Sequence, residues 1–260
     1  LWNYYYWGVD YIVDPNEQDF DYNVREIITN EASYGEFTYH YTDEVDITLG
    51  IRNYNVEASA AMNSAFKLYD VFPVSDTDFN TDKGTLNKVN VSYRPSGKNQ
   101  NYYFTSSEGY RRGGVNAVPT EGPLAEDAGW VPFESDTVKN IELGVKGALA
   151  DGTYYNLSYF MVDWDNPQLN TSTPVNGYYA VVNGDTAQIN GFDVELSGSA
   201  GAIDWNVGYS NKNARLSSDF YTPADTPVLY ARSGAKLPGS PDHTFNLNLA
   251  HTSYFGKTDD

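Results

Sequence analysis

The feature that most constrains this sequence is a strict alternation of apolar and polar residues. Within Ser135–Trp164, apolar residues occupy every second position from Ile141 to Val145, and the alternation resumes after the turn signal Asp151-Gly152. A period of two is that of a β-strand with one apolar and one polar face, and an Asp-Gly pair is typical of a tight hairpin turn. The segment is therefore predicted to form a long antiparallel hairpin.

The same alternation predicts about ten strands along the chain, joined by connections that alternate between short and long. The predicted short turns are 42–44, 95–98, 150–152 and 198–201, and the predicted long loops are 57–83, 111–132, 165–184 and 216–241, with a further acidic loop after a first strand at 1–11. Outer-membrane barrels have tight periplasmic turns and long outer loops, whereas a soluble β-sandwich has no reason to sort its loops by end. We therefore predict an all-β chain that forms part of an antiparallel transmembrane β-barrel.

On this interpretation the apolar residues of each strand face lipid, and the residues between them face a hydrated lumen. A charge that faces lipid costs about 2–4 kcal/mol at the midplane of the membrane. The charged strand residues are therefore predicted to face the lumen. They are Glu36, Arg52, Arg94, Glu142, Lys146, Asp193, Glu195 and Asp204.

Composition argues against several classes of function. The net charge of −19 disfavours nucleic acid as a partner, because like charges repel. The sequence contains no cysteine, which excludes disulfides, zinc–thiolate sites and cysteine nucleophiles. The histidines, His40, His243 and His251, lie on separate predicted strands, and the sequence has no nucleophile or phosphate-loop motif. We predict a chain that is not an enzyme and has no cofactor.

Two neighbouring motifs resemble those of bacterial TonB-dependent outer-membrane receptors. Residues 109–116 read GYRRGGVN, and residues 133–147 read FESDTVKNIELGVKG. In that family a Gly-Phe-Arg-x-Gly-Gly-x-Asn type strand enters an outer loop, and a Pro-Glu-x-x-x-x-Tyr-Glu-x-Gly-x-Lys type strand returns from it. Tyr110 stands here in place of the usual Phe, Ser135 in place of Glu, and Ile141 in place of Tyr.

The resemblance implies a barrel of about 22 strands around an N-terminal plug. Residues 1–260 are then expected to be a fragment of the barrel domain, without the plug and the final strands. The resemblance also implies a receptor in the outer membrane of a Gram-negative bacterium that actively imports scarce nutrients, most often ferric siderophores, sometimes cobalamin or carbohydrates. The expected partners are outer-membrane lipid, the imported nutrient, and the periplasmic TonB protein acting through the plug. A passive porin-like channel and a secreted β-sandwich that binds carbohydrate are the alternatives.

Two kinds of outer-loop residue are candidates for contact with a ligand. Arg111 and Arg112 lie where an outer loop begins, and they can bind an anionic ferric chelate through bidentate hydrogen bonds or instead order the mouth of the loop. Aromatic side chains of the loops can stack on a sugar or a catecholate, or they can lie at the membrane interface. These aromatic residues are Tyr178, Tyr179, Phe220, Tyr221 and Tyr230.

One predicted loop also carries a weak calcium-binding pattern. Oxygen ligands recur at every second residue, as in a calcium loop, at Asp76, Asp78, Asn80 and Asp82. Thr81 stands where such a loop has Gly, and Asn87 stands where it has a bidentate Glu. An acidic, solvated loop is the alternative interpretation.

Overall fold

The computed structural model describes residues 3–6, 9–12, 20–66, 71–122, 124–175 and 177–253. Nine strands in these ranges form one antiparallel sheet: β3 (Phe20–His40), β4 (Val45–Phe66), β5 (Val71–Tyr93), β6 (Gln100–Arg111), β9 (Asp136–Ala148), β10 (Tyr154–Asp165), β13 (Thr186–Ala200), β14 (Ile203–Leu216) and β17 (His243–His251). Across the sheet their order is β17-β14-β13-β10-β9-β6-β5-β4-β3. Within the described ranges, no helix has the length and apolar character needed to cross a bilayer.

Short strands form two-stranded pairs outside this sheet: β1 (Asn3–Tyr6) with β2 (Val9–Ile12), β7 (Gly114–Val115) with β8 (Pro132–Phe133), β11 (Gln168–Ser172) with β12 (Tyr179–Asn183), and β15 (Phe220–Tyr221) with β16 (Leu229–Ala231). The described strands make a single large sheet rather than two packed sheets. This architecture contradicts the β-sandwich alternative.

The connections between the strands of the sheet are sorted by end. Tight turns at 41–44, 94–99, 149–153 and 201–202 define what we call the turn end. At the opposite end, the loop end, lie loop A (112–135), loop B (166–185) and loop C (217–242), and each carries one of the short strand pairs. The sequence-based prediction of alternating short and long connections is confirmed for these three loops.

The prediction of a long loop at 57–83 is wrong, because 57–66 and 71–83 form the loop-end parts of β4 and β5. Residues 67–70 lie outside the described residues. The register runs without a shift from Val45 opposite Tyr93 to Ser64 opposite Val74. In this part of β4 most buried positions are occupied by small side chains, Ala58, Ala60 and Ala65, and one by Met62. An alternation of small and polar residues carries no strong apolar signal, although the backbone is as extended as in the rest of the strand.

The prediction of an acidic loop after the first strand is wrong from residue 20 onward, whereas 13–19 lie outside the described residues. β3 begins at Phe20 and pairs with β4 along its whole length. The first predicted strand, at 1–11, is seen as β1 and β2, which pair with each other and not with the large sheet. About ten strands were expected from the sequence. Nine strands form the sheet, and their order across it follows their order in the sequence, as predicted.

Strand register gives the sheet two chemically different faces. On the first, which we call the apolar face, one cross-strand row consists of Tyr39, Ile47, Val91, Phe104, Leu143, Tyr159 and Phe192. Towards the loop end this face is bounded by the charged and polar row Glu108, Lys139, Asp163, Gln188 and Arg215. A strand extends about 3.4 Å per residue and is tilted by about 40° in an outer-membrane barrel. The ten steps from Lys139 to the turn at Leu149 would therefore span about 26 Å along the axis of such a barrel. This height matches the apolar band of an outer-membrane barrel.

On the opposite face, which we call the charged face, aromatic rings lie over glycines of the neighbouring strand. A Cβ atom on Gly144 would lie 2.4 Å from Cζ of Tyr103, and one on Gly84 would lie 2.5 Å from the hydroxyl of Tyr54. Each ring is directly opposite its glycine in the register. Glycine is required at these positions because a neighbouring side chain occupies the space of its Cβ.

A buried apolar cluster lies at the loop end rather than in the middle of the sheet. Its members come from all three loops and from the adjoining ends of β13 and β14. They are Val118, Trp130, Val131, Ala180, Val182, Ala187, Ala214, Leu216, Phe220 and Leu237. We call this set the loop core. It gives the long loops a fixed structure, because their apolar side chains are removed from water together.

Candidate functional site in the loops and on the charged face

The root of loop A is organised by one buried carboxylate. Asp136, 1% exposed, accepts hydrogen bonds from Arg111 Nε at 2.9 Å, from the indole nitrogen of Trp164 at 3.0 Å and from the backbone nitrogen of Gln168 at 3.1 Å. The guanidinium carbon of Arg111 lies 5.1 Å from the centre of the Trp164 ring. Charge-assisted hydrogen bonds and a cation–π contact thus fix Arg111. This geometry supports the interpretation that Arg111 orders the loop mouth.

Arg112, the second predicted ligand residue, joins loop A to a distant strand. Its Nη1 lies 3.1 Å from Oε1 of Glu26 on β3, and its carbonyl accepts a hydrogen bond of 2.8 Å from the side chain of Gln168. Both charged side chains are partly exposed. Arg112 therefore connects three segments of the loop end and leaves part of its guanidinium open to solvent.

Asn116 is a structural residue that sequence reasoning did not single out. Its Nδ2 donates to the carbonyls of Trp130 at 2.8 Å and Val181 at 2.6 Å, and its Oδ1 accepts from the nitrogen of Val181 at 2.9 Å. The buried amide therefore joins loop A to loop B by satisfying backbone groups of both. Its position at the end of the motif at 109–116 was the available signal, but the motif alone does not indicate a partner.

A second buried polar side chain also connects loops A and B. Glu126 is 4% exposed, and its Oε1 accepts a hydrogen bond from the backbone nitrogen of Val175 at 3.2 Å. Together with Asn116, it gives the two loops polar connections alongside the apolar contacts of the loop core.

Asp127 connects loop A to loop C. Its Oδ1 accepts from the nitrogen of Gly129 at 2.8 Å, and its Oδ2 accepts from the nitrogen of Asp225 at 3.1 Å. These backbone hydrogen bonds, that of Gly129 first, lower the pKa of Asp127 because they favour the ionised carboxylate. A Cβ on Gly129 would lie 1.9 Å from the carbonyl oxygen of Pro223, so the two loops are in close backbone contact.

The predicted loop aromatics fall into different environments. Tyr178 is partly buried against the loop core, with its ring centre 6.0 Å from that of Tyr22, whereas the neighbouring Tyr179 is 69% exposed. Phe220 is a member of the loop core, and Tyr230 packs edge-on against it at 5.4 Å. Tyr221 is exposed. The structure therefore brings Phe220 and Tyr230 together but gives Tyr178 a different aromatic partner.

The four oxygen-bearing residues of the calcium pattern lie on strand β5 and not in a loop. Alternate residues of a strand are about 6.8 Å apart, which is too far for all four to hold one ion at about 2.4 Å. The amide of Asn80 donates to the carbonyls of Gly114 and Phe133, and no group of three potential metal-binding side chains is found in the described parts of the chain. The loop geometry that motivated the calcium prediction is absent.

Seven of the eight charged residues predicted to face a lumen lie on the charged face by strand register, and Arg94 directly follows the end of β5. Several have partners there. Lys88 Nζ lies 2.9 Å from Oε2 of Glu36, across Gly50 on the strand between them. Arg94 pairs with Asp46, whose other carboxylate oxygen lies 2.5 Å from Nδ1 of His40.

Other acidic groups on this face accept hydrogen bonds from neutral side chains. The hydroxyl of Tyr103 donates to Glu142 at 2.6 Å, and the amide of Asn206 donates to Glu195 at 3.0 Å. Lys146 Nζ lies 5.9 Å from the centre of the Tyr103 ring. The charged face is thus a hydrogen-bonded polar surface, and the opposite face has exposed apolar side chains throughout its central rows.

A sheet with one apolar and one charged face, tight turns at one end and interlocked loops at the other has the construction of an outer-membrane β-barrel wall. The sequence profile of the family described as "TonB dependent receptor-like, beta-barrel" matches residues 2–259. The chain belongs to this family. The match confirms the resemblance, the fold class and the location in a Gram-negative outer membrane, and the matched proteins are receptors rather than enzymes, as predicted.

Individual relatives agree with this assignment. The chain is 29% identical over 129 residues to the pesticin receptor of Yersinia enterocolitica, a match that covers 50% of this chain and 18% of that protein. The structure is similar to that of the ferric yersiniabactin uptake receptor of Yersinia pestis, with a TM-score of 0.69, 20% identity and coverage of 91% of this chain and 33% of that one. The ferric-catecholate import receptor of Escherichia coli K12 gives a TM-score of 0.64 at 17% identity, covering 89% and 33%. The chain thus spans a third or less of the length of these proteins.

Proposed function

We propose that this chain forms part of the barrel of a receptor that imports small ferric chelates of the siderophore type. Membership of the TonB-dependent receptor family carries this proposal. Further support comes from the similarity to proteins named as a ferric yersiniabactin uptake receptor and a ferric-catecholate import receptor. In the proposed receptor, the loops capture the chelate and the periplasmic TonB protein supplies energy through a plug domain.

The charged face lines the lumen in this proposal, and the apolar face contacts outer-membrane lipid. The ion pair between Glu36 and Lys88 and the hydrogen bond between Tyr103 and Glu142 support the assignment. Such groups are stable beside water but would be costly against lipid. A hydrated wall with hydrogen-bonded polar groups suits the passage of a polar chelate.

Arg111 and Arg112 have different roles in this proposal. Arg111 positions the root of loop A through Asp136 and Trp164. Arg112 has the weaker, partly exposed pair with Glu26, so it is the better candidate of the two for an anionic chelate. Tyr179, exposed on loop B, is the candidate for stacking against an aromatic part of the chelate, whereas the neighbouring Tyr178 packs against the loop core.

Uptake by cells tests the proposed function. A strain that lacks the receptor gene is complemented with it and grown under iron limitation, and accumulation of radiolabelled iron is followed with ferric yersiniabactin and with a ferric catecholate. Uptake of either chelate that requires TonB is the expected result. Uptake that persists without TonB would instead indicate the passive channel, and no uptake of either chelate would contradict the substrate class.

The assignment of the two faces is tested by adjacent cysteines. Strand register places Asn156 on the charged face and Leu157 on the apolar face of β10. The sequence has no cysteine of its own, so each introduced thiol is labelled alone. In intact outer membranes, Asn156→Cys should react with a membrane-impermeant, water-soluble maleimide, whereas Leu157→Cys should react only after solubilisation and unfolding. Equal reaction of the two variants in membranes would contradict the proposed orientation.

A further inference from the structure

A pocket lies between loops B and C, and its lining does not include Arg111, Arg112, Tyr178 or Tyr179. Its volume is about 540 Å³, within the range of about 300–1,000 Å³ that is usual for small-molecule sites. Apolar side chains form most of its lining: Trp164, Leu169, Leu216, Phe220, Tyr230 and Leu237. The volume is sufficient for a substituted aromatic ring or a branched aliphatic group.

The walls of this pocket are fixed by contacts made outside it. Trp164 donates its indole N–H to Asp136 and lies under the guanidinium of Arg111. Leu216, Phe220 and Leu237 are each at most 6% exposed because they also belong to the loop core. The pocket therefore exists before any ligand arrives, and a ligand that enters it pays little to reorganise the protein.

Tyr230 is the adjustable part of the lining. Its ring packs edge-on against Phe220 at 5.4 Å, yet 60% of the residue is exposed. A bound group that covered the Tyr230 ring would remove apolar surface from water on both sides of the contact. The pocket thus combines a rigid floor with one exposed aromatic side chain.

The charged group of the lining and one of its amides already have partners. Lys236 is the one charged side chain among the residues that line the pocket, and its Nζ lies 3.0 Å from Oδ2 of Asp242. The side-chain amide of Gln168 donates to the carbonyls of Arg112 and Glu134. A charged ligand group would find no unpaired counter-charge here and would lose its hydration, so the pocket selects against it.

We propose that this pocket binds an uncharged aromatic or aliphatic group of a small molecule. That this group is the apolar part of the imported molecule rests on the proposed function. The binding itself rests on the volume, the fixed apolar walls and the paired charges. The pocket is thus a specificity site: chelates that carry such a group are favoured over chelates of the same charge that lack it.

Thiol labelling of the full receptor, purified from outer membranes in detergent, tests the proposal. Ala231 lines the pocket, and Thr226, exposed on the same loop, provides the control position. The Ala231→Cys and Thr226→Cys variants are labelled with uncharged N-phenylmaleimide and with the anionic reagent 2-sulfonatoethyl methanethiosulfonate. The ratio of the two labelling rates should be about tenfold higher at position 231, because the phenyl group binds in the pocket before it reacts.

Competition supplies the second measurement. Benzyl alcohol should slow N-phenylmaleimide labelling of Ala231→Cys and leave Thr226→Cys unaffected, whereas benzoate should slow neither. Equal rate ratios at the two positions, or equal protection by benzoate, would overturn the proposal. Ala235→Cys, on the same lining, replaces Ala231→Cys if that variant does not fold. Because no readout involves iron or TonB, failure of chelate uptake and failure of pocket labelling are separate results.

Discussion

Apolar side chains gather in two regions of this molecule, and their exposure is opposite in the two. In the sheet, Leu143, Phe245 and Leu249 are between 62% and 66% exposed. In the loop core, Val118 and Trp130 are each 1% exposed. In the proposed orientation the first region contacts lipid, where apolar surface needs no cover, and the second is a small water-excluding core of the kind found in soluble proteins. One chain therefore folds against two solvents.

The polar contacts of the two regions differ in the same way. On the charged face, pairs such as Glu36 and Lys88 join neighbouring parts of the sheet and are partly exposed. At the loop end, Asp136 and Asn116 are buried and bind backbone groups far away in sequence. The sheet is thus defined by its backbone ladder, whereas the loops depend on individual side chains. Substitutions should act differently in the two regions.

The largest effect is expected from Trp130→Ala. Removing this buried side chain from the loop core should destabilise the loops by about 3–5 kcal/mol, through lost contacts and a cavity. The effect should be confined to the loop end, because the sheet keeps its ladder. Hydrogen exchange of backbone amides should therefore accelerate in loops A, B and C but not in the central part of β9.

Two controls sharpen this prediction. Tyr179→Ala removes a ring that is 69% exposed and should change exchange little. Trp130→Phe should be much milder than Trp130→Ala, since the indole N–H has no acceptor among the described residues and its loss leaves no group unsatisfied. If Trp130→Ala accelerated exchange equally in the loops and in β9, the loop core and the sheet would be one cooperative unit.

The second prediction compares two residues of equal exposure. Leu143 on the apolar face and Val228 on loop C are each 62% exposed. Leu143→Arg should destabilise the folded barrel by about 2–4 kcal/mol because it places a charge against lipid near the midplane. Val228→Arg should have little effect, since its side chain meets water. Denaturant unfolding of the receptor in lipid vesicles measures both, and similar losses at the two positions would contradict the separation of solvents.

Asn116→Ala is expected to have the third-largest effect. It removes a buried amide and leaves the carbonyls of Trp130 and Val181 without their donor, which costs about 1–3 kcal/mol. Limited proteolysis of loops A and B should become faster. Asn116→Asp should be at least as damaging, because a carboxylate would face those two carbonyls. A harmless Asn116→Asp would mean that the hydrogen-bonded connection between the loops is unimportant.

Most of the sheet could be predicted from the sequence, but the loop core could not. Large apolar residues alternate through segments such as Ile141 to Val145, so pattern alone gives the strands and their faces. The alternation of small residues around Ala58 gives too weak a signal, and the loop-end parts of β4 and β5 were missed. Asp127 and Asp225 are 98 residues apart, and no local feature of either indicates the other. Long-range contacts of single side chains leave no periodic trace.

The smallest expected effect is a pH dependence of the connection between loops A and C. The pKa of Asp127 is lowered in the folded protein by the backbone hydrogen bonds from Gly129 and Asp225. A lowered pKa means that the ionised carboxylate stabilises the fold at pH values above its unfolded pKa of about 3.9. The contribution is therefore constant from neutral pH down to that value and is lost as the pH falls through the lower, folded pKa.

Asp127→Asn isolates this contribution from the titration of other loop carboxylates. Asp242 has a pKa that is also lowered, by its hydrogen bond to Lys236 first, and it titrates in the wild type and in the variant alike. Proteolysis of loop C, measured from pH 7 to about pH 3, should accelerate less steeply in acid for Asp127→Asn than for wild type. Identical profiles would assign the acid sensitivity of the loops to other carboxylates. A steeper wild-type profile would show that the connection between loops A and C depends on the charge of a single carboxylate.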